Sequence, residues 1–184
     1  MTDRLILDAE AYATVAHSEA GNVRKYVGGP YIGHPAEVAA FVSRYTDDPV
    51  AIAAAWLHDV IEETARSRAM LADRFGEAVA EYVWWLSDDP ALKHLPRAHR
   101  VEVAAARLAD APAGVQLVKV GDIWSNSRTI AQVNPKFARI YLPEKARILQ
   151  ALTRAPAEPL ALTRKVVIEA ARSLGLELAN QHVA

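Results

Sequence analysis

Apolar and polar residues follow a helical period along most of the chain. In the first predicted helix, residues 4–19, apolar side chains recur three and four positions apart, as in one face of an amphipathic helix. These side chains are Leu5, Ala9, Tyr12, Ala13 and Ala16. The same period predicts further helices at residues 35–45, 46–63, 67–75, 77–87, 98–110, 114–131, 136–154 and 157–175. No two segments show the alternation expected of paired strands, so the pattern predicts an all-α fold.

Glycine and proline separate the predicted helices. The residues at or near the breaks are Gly76, Pro96, Pro112, Pro135 and Pro156. Residues 21–35, which read GNVRKYVGGPYIGHP, are predicted to form an ordered loop. Asp48 precedes Pro49 and suits the N-cap of the helix that follows. We expect one compact domain over residues 1–184, with the sequence motifs in a core at about 5–150 and C-terminal helices to about 178.

Composition narrows the class of protein. The chain has 184 residues, of which 52% are apolar and 23% are charged, with a formal net charge of −1. These values are ordinary for a globular domain and give no sign of a nucleic-acid or membrane surface. The absence of cysteine excludes disulfides and thiolate metal sites. The early charges in MTDRLILDAE do not suit a secretory leader, and no apolar run approaches a membrane span. We therefore expect a cytoplasmic protein.

Four ionisable residues end an otherwise apolar helix in the stretch AAAWLHDVIEET, residues 53–64. His58 and Asp59 are adjacent, and Glu62 and Glu63 follow at helical spacing. A salt-bridged helix end is the simpler interpretation. However, the preceding residues are apolar on all sides, and buried charges are costly unless they are paired or bind a metal. Three acids without a nearby lysine therefore favour a bound cation.

Two other stretches supply further polar groups. His34 lies directly before Pro35, and Asp122 lies in the mostly apolar stretch LVKVGDIWSNSRT. Lys119, Asp122 and Asn126 share one helix face, and for the last two a buried hydrogen-bonded pair is the plainer alternative. Two histidines and two aspartates would form a mixed nitrogen and oxygen site that suits manganese, iron, zinc or magnesium.

These motifs, in this order, resemble the HD superfamily of metal-dependent phosphohydrolases. RKYVGGPYIGHPAEVA, AAAWLHDVIEET and LVKVGDIWSNSRT are more narrowly similar to the hydrolase domain of RelA/SpoT proteins, which degrades guanosine tetraphosphate and pentaphosphate. The resemblance covers about residues 5–150, and the chain length is similar to that of stand-alone small alarmone hydrolases. It implies an HD-domain fold and a manganese ion. The implied metal ligands are His34, His58, Asp59 and Asp122.

The resemblance also implies catalytic and substrate-binding residues. Glu62 matches the first member of the family's acidic pair, whereas Glu63 replaces the usual aspartate. Arg24 and Lys25 match a basic pair that meets the nucleotide, and Asn126 matches a polar residue near the ribose and base.

Three neighbouring positions bear on the same substrate contacts. Thr129 continues the helix face of Asn126, and Lys119 is a candidate phosphate ligand. Tyr26 stands where long enzymes commonly have a small residue, so it bears on the shape of the base pocket.

The implied function is hydrolysis of the 3′-pyrophosphate of guanosine tetra- or pentaphosphate, giving GDP or GTP and pyrophosphate. Two alternatives remain open. The same site could act on another nucleotide, such as the 2′-phosphate of NADPH or an adenosine alarmone. A nucleotide-binding protein with little turnover would follow if Glu63 impairs catalysis. The expected partner is a small nucleotide, with no nucleic acid or membrane. Trp84 and Trp85 are expected to serve packing or a homo-oligomer face.

Overall fold

Helices form nearly all the regular structure of the chain. The computed structural model describes residues 2–25 and 28–178, so Tyr26 lies outside the described residues. In chain order the helices are α1 Thr2–Glu19, α2 Gly33–Val42, α3 Pro49–Leu57, α4 Val60–Glu63, α5 Arg68–Phe75, α6 Glu77–Leu86, α7 Arg97–Asp110, α8 Ala113–Val133, α9 Pro135–Ala151 and α10 Ala157–Ser173, with a short 3₁₀ helix at Pro90–Leu92 before α7. Extended pairing in the described ranges is limited to one isolated bridge between Val23 and Pro30. The predicted all-α fold is confirmed.

Helix α3 is apolar on all sides because it lies between two hydrophobic clusters. Ala51, Ile52 and Ala55 pack into one cluster, which also includes residues of α2, α8, α9 and α10. Ala53, Ala54 and Leu57 pack into the other, with residues of α1, α5 and α6. Because α3 is enclosed in this way, its C-terminal end delivers His58 into the interior.

Helices α2 and α8 approach each other closely beside that end of α3. A Cβ atom built on Gly121 would lie 3.1 Å from Cδ1 of Phe41 and 3.3 Å from Cγ1 of Val38. These distances are shorter than ordinary van der Waals contact, so the absence of a side chain at Gly121 permits the approach. The next residue along α8, Asp122, is thereby brought next to His34 at the start of α2.

The prediction of one continuous helix over residues 46–63 is wrong. Residues 46–63 were expected to form a single helix, but α3 ends at Leu57 and α4 begins at Val60. The backbone of Asp59 opens to φ −96° and ψ −3°, and successive side chains of a regular helix would point about 100° apart. The break lets His58 and Asp59 face the same point. At the other end of α3, the predicted cap is confirmed, since Asp48 accepts a hydrogen bond of 2.9 Å from the N–H of Val50.

The loop between α1 and α2 is ordered by backbone hydrogen bonds where it is described. The N–H of Arg24 donates to the carbonyl of Gly29 at 3.1 Å, and the N–H of Gly28 donates to the carbonyl of Arg24 at 3.0 Å. Gly28 and Gly29 adopt positive φ angles of 79° and 82°, which suit glycine. This turn holds Arg24 close to the N-terminus of α2.

None of the helices in the described part of the chain is long and apolar enough to cross a membrane.

Candidate metal centre and the cavities beside it

His34, His58 and Asp59 converge at the point where α2, α3 and α4 meet. The Nε2 atoms of the two histidines are 3.2 Å apart. Oδ2 of Asp59 lies 3.1 Å from Nε2 of His58 and 3.6 Å from Nε2 of His34. Both imidazoles are buried, with 4% and 3% of their surface exposed for His34 and His58. The structure therefore brings together three of the four predicted ligands.

The outer nitrogen of each ring identifies its tautomer. Nδ1 of His58 lies 2.8 Å from the carbonyl oxygen of Ala55, which can only accept, so Nδ1 carries the proton. Nδ1 of His34 lies 3.0 Å from Oγ of Ser125, whose one proton is donated to the carboxylate of Glu37 at 2.7 Å. Nδ1 of His34 is therefore also the donor. Because Nδ1 is the donor in each ring, both Nε2 atoms face the centre and can serve as metal ligands when they carry no proton, as in metal-bound histidines.

Three electron-pair donors that face one another require a positive charge between them. Two ligand atoms each about 2.1 Å from one cation lie roughly 3.0–3.4 Å apart, and the observed spacings of 3.1–3.6 Å are close to this. Burial lowers the pKa of His58, but Asp59 and Asp122 raise it to a net value of about 9, so a proton supplies this positive charge when no metal ion is bound. Burial raises the pKa of Asp59, but His58 and His34 hold it well below its usual range. The donor set fits a divalent cation.

Asp122 lies one step from this cluster. Its Oδ1 is 3.3 Å from Nε2 of His34 and accepts a hydrogen bond of 2.7 Å from the amide of Asn126. Its Oδ2 accepts a hydrogen bond of 2.8 Å from the ammonium of Lys119. Although burial favours its neutral form, Lys119 and the two histidines hold the pKa of Asp122 well below its usual range. Asp122 is thus a carboxylate beside the cluster, and its role as fourth ligand stays a prediction.

Tyr31 supports Asp59 and was not identified from the sequence, whereas His17, which packs on Tyr31, was expected to have a structural role. The hydroxyl of Tyr31 donates to Oδ2 of Asp59 at 2.6 Å. Burial and Asp59 raise the pKa of Tyr31 above its usual value, so it remains a donor. The ring of His17 packs against Tyr31 with centroids 4.6 Å apart, and its Nδ1 lies 3.1 Å from the amide nitrogen of Asn22. Tyr31 was visible in the quoted motif, but its distance of 28 residues from Asp59 gave no local signal.

A cavity of about 520 Å³ opens beside the cluster on the side of the α1–α2 loop. It is lined by four of the five predicted substrate contacts, together with His34 and Glu63. These four are Arg24, Lys25, Asn126 and Thr129. The volume and the lining of this cavity suit a nucleoside. Basic, amide and hydroxyl groups line it together with the apolar side chains of Ile130 and Val133.

The fifth predicted contact, Lys119, lies in a separate cavity of about 180 Å³ that is rich in cations. Lys93, Arg100 and Lys145 also line this space. Burial and the charge of Lys119 lower the pKa of Lys145, against the opposing effect of nearby carboxylates, and cationic side chains outnumber the carboxylates of Asp88 and Asp89 in the lining. Such a space favours an anion such as a phosphate group.

The two predicted catalytic acids diverge. The carboxylate of Glu62 accepts a hydrogen bond from the N–H of Asp88, which lines the smaller, cation-rich cavity, called here the basic cavity. Glu63 instead lines the larger cavity. Although Glu62 is exposed over part of its surface, desolvation of its carboxyl raises its pKa to about 7, against the opposing effects of Lys119 and the Asp88 N–H. The two carboxylates therefore belong to different cavities beside the cluster of His34, His58 and Asp59.

The chain is similar to curated relatives that are mostly longer. A guanosine-3′,5′-bis(diphosphate) 3′-pyrophosphohydrolase of Haemophilus influenzae is 34% identical over 66% of this chain and 18% of its own length. The enzyme of the same name, MESH1, of Danio rerio is 34% identical over 59% of this chain and 60% of its own length. The bifunctional (p)ppGpp synthase/hydrolase SpoT of Escherichia coli is 30% identical over 78% of this chain. The chain thus spans about a fifth of the long bacterial proteins.

Solved structures share the fold. A metazoan ortholog of SpoT, described as hydrolysing ppGpp, superposes with a TM-score of 0.79 at 24% identity, covering 94% of this chain and 97% of that one. The protein lmo0812 of Listeria monocytogenes superposes with a TM-score of 0.66 at 19% identity, covering 79% of this chain and 98% of that one. The sequence profile of the HD domain matches residues 9–113, which include His34, His58 and Asp59. The chain belongs to the HD domain family.

Proposed function

We propose that the chain is a metal-dependent phosphohydrolase that removes the 3′-pyrophosphate of guanosine tetra- or pentaphosphate, releasing GDP or GTP and pyrophosphate. One observation carries the proposal: His34, which forms a cluster with His58 and Asp59, also lines a cavity of nucleoside size. The names of the relatives in Haemophilus influenzae and Danio rerio support this choice of substrate.

The donor set supports a divalent cation, and we propose manganese. His34, His58 and Asp59 would hold the ion, with Asp122 as the fourth ligand. When bound, such an ion neutralises phosphate charge and lowers the pKa of water from about 15.7 toward roughly 7. Manganese accepts imidazole and carboxylate ligands together.

The larger cavity would bind the nucleoside and one phosphate group. The guanidinium of Arg24 can pair with phosphate or stack on the purine, and the ammonium of Lys25 acts as a point charge. Asn126 and Thr129 present amide and hydroxyl groups for the ribose and base. Because His34 and Glu63 line the same cavity, a nucleoside bound there would direct its 3′ substituent at the metal cluster.

Lys119 would bind a phosphate group from the basic cavity, away from the nucleoside. Its ammonium is held 2.8 Å from Asp122 and lines the basic cavity with Lys145 and Arg100. A highly charged substrate has more than one phosphate group to place, and this excess of cations supports a second phosphate position there.

Glu62 is the proposed proton carrier. A carboxyl whose pKa is about 7 is present in both protonation states near neutral pH, which is the condition under which general acid–base catalysis is most efficient. Glu63 would act from the cavity side, where its carboxylate can orient water or a substrate hydroxyl.

The test is a product assay with manganese-loaded protein against guanosine tetraphosphate, guanosine pentaphosphate, an adenosine alarmone and NADPH at equal concentration. We expect the highest kcat/KM for a guanosine alarmone, with the 5′ phosphates intact in the product. The variant Asp59→Asn should lose this activity, whereas Asp47→Asn, at an exposed site, should retain it. Preference for NADPH or the adenosine alarmone would contradict the proposed substrate, and binding without turnover would contradict the enzyme.

A further inference from the structure

A continuous chain of polar contacts connects the nucleotide loop to a metal ligand. Nη1 of Arg24 donates to Oε1 of Glu37 at 3.0 Å. The other carboxylate oxygen, Oε2, accepts from the hydroxyl of Ser125 at 2.7 Å, and that hydroxyl accepts from Nδ1 of His34 at 3.0 Å. Glu37 therefore stands between a predicted substrate contact and a predicted metal ligand, and both of its oxygens are engaged.

Hydrogen bonds and charge define this chain of contacts. Ser125 and His34 are 1% and 4% exposed, and the side chains of Arg24 and Glu37 are 15% and 38% exposed. Burial alone would raise the pKa of Glu37, but the hydrogen bond from Ser125 and the charges of Arg24 and Arg128 lower it below its ordinary value. Glu37 is thus an anion, and an anion at this position favours a proton on Nδ1 of His34.

We propose that Glu37 is a positioning residue that couples nucleotide binding at Arg24 to metal binding at His34. Through Ser125 it fixes the tautomer and orientation of the imidazole, and through its ion pair it fixes the guanidinium. The coupling rests on the proposed function, because it requires a nucleotide to contact Arg24.

Two effects follow from this arrangement. Loss of a group that orients a metal-bound histidine costs about 10–100-fold in metal affinity. Coupling between two ligands is reciprocal, so a nucleotide that orders Arg24 and Glu37 should tighten metal binding by the same factor by which the metal tightens nucleotide binding.

The first experiment measures Mn²⁺ affinity by calorimetry without nucleotide. Glu37→Gln and Ser125→Ala should each bind Mn²⁺ about 10–100-fold more weakly than wild type. The double variant should be no weaker than the weaker single variant, because both changes interrupt the same chain of contacts. The control Glu102→Gln removes an exposed carboxylate that is paired with Arg147 at 2.7 Å, and it should bind as wild type does. Circular dichroism verifies that all variants are folded.

Unchanged Mn²⁺ affinity in folded Glu37→Gln would overturn the positioning role, whatever the substrate is. Effects of Glu37→Gln and Ser125→Ala that simply add would also overturn it, since they would indicate two independent structural contributions.

The second experiment measures the coupling, with GDP as a probe and free Mn²⁺ held constant by a metal buffer. In wild type, saturating GDP should tighten Mn²⁺ binding by at least about 5-fold, the lower end of typical coupling. In Glu37→Gln the factor should fall close to unity, whereas Glu102→Gln should keep the wild-type factor. A wild-type factor in Glu37→Gln would overturn the coupling. If GDP fails to bind wild type at all, the coupling falls, whereas the product assay with guanosine tetraphosphate decides the proposed function and the calorimetry decides the positioning role.

Discussion

The Nε2 atoms of His34 and His58 face each other at 3.2 Å, and Nδ1 of each ring donates a hydrogen bond on the opposite side. Two lone pairs at this distance repel unless a positive charge lies between them. Asp59 adds a third donor from the same side. The centre of the molecule is therefore built to hold a cation, and the predictions below follow from that arrangement.

Asp122 lies beside the three clustered residues, and mutation can decide whether it is the fourth metal ligand. The variant Asp122→Ala removes the carboxylate next to Nε2 of His34 and should lose more Mn²⁺ affinity than the about 10–100-fold typical of residues that only orient a ligand. Elemental analysis after desalting measures the retained metal, with Asp47→Ala as an exposed acidic control. Normal metal content in folded Asp122→Ala would exclude it as a ligand.

Arg24 is predicted to contact the nucleotide. Charge-assisted hydrogen bonds contribute roughly 1.5–3 kcal/mol, so Arg24→Ala should raise the apparent KM for guanosine tetraphosphate by about 10–150-fold. At saturating Mn²⁺ the metal content should be unchanged. Arg4→Ala is the control, since the Arg4 side chain is 87% exposed and pairs with Asp8 at 4.0 Å on the surface. An unchanged KM would mean that the nucleotide binds elsewhere.

Glu62 is predicted to transfer a proton. Glu62→Gln keeps the size of the side chain, so metal and nucleotide affinity should be near those of wild type, while kcat should fall roughly 10²–10⁴-fold. If the ionised carboxylate is the base, wild-type kcat should rise as pH increases through about 7, the pKa of Glu62, and this limb should vanish in Glu62→Gln. A wild-type pH profile in the variant would assign proton transfer to another group.

The same pKa has a consequence for stability that is independent of turnover. Because the pKa of Glu62 is raised to about 7 from the ordinary glutamate value of 4.5, the folded protein binds more protons than the unfolded chain between these values. The contribution of Glu62 to the free energy of unfolding is therefore present below about pH 4.5 and is lost as pH rises through about 7. Denaturant titrations can measure the free energy of unfolding of metal-free wild type and metal-free Glu62→Gln across that interval. The value for wild type should fall relative to that of the variant as pH rises.

Glu63 tests the departure from the usual acidic pair. Glu63→Asp shortens the side chain by one methylene, and a shift of about 1 Å at a catalytic group can change the rate roughly 100-fold. Glu63 lines the larger cavity. We expect this cavity to be shaped for the longer side chain, so kcat should decrease in Glu63→Asp. Glu81→Asp, on the exposed surface of α6, is the matched control. An increase in kcat would mean that the native glutamate impairs catalysis.

Local sequence patterns predicted most helices within a few residues, because apolar periodicity and the positions of glycine and proline are local properties. The break between α3 and α4 was missed because it arises where His58 and Asp59 turn toward His34, a tertiary contact. Ser125 and Glu37 were missed for the same reason, since they lie 91 and 88 residues from their partners His34 and Ser125. The three clustered ligands were predicted because the motifs that carry them are recognisable in sequence.

The most direct measurement of the central claim is the stoichiometry of products from guanosine tetraphosphate, resolved by anion-exchange chromatography. Protein loaded with Mn²⁺ should release GDP and pyrophosphate in equal amounts. Activity should disappear on chelation, return on addition of Mn²⁺ and be absent in Asp59→Asn. Full activity in protein stripped of metal, or no release of pyrophosphate from loaded and folded wild type, would contradict the account.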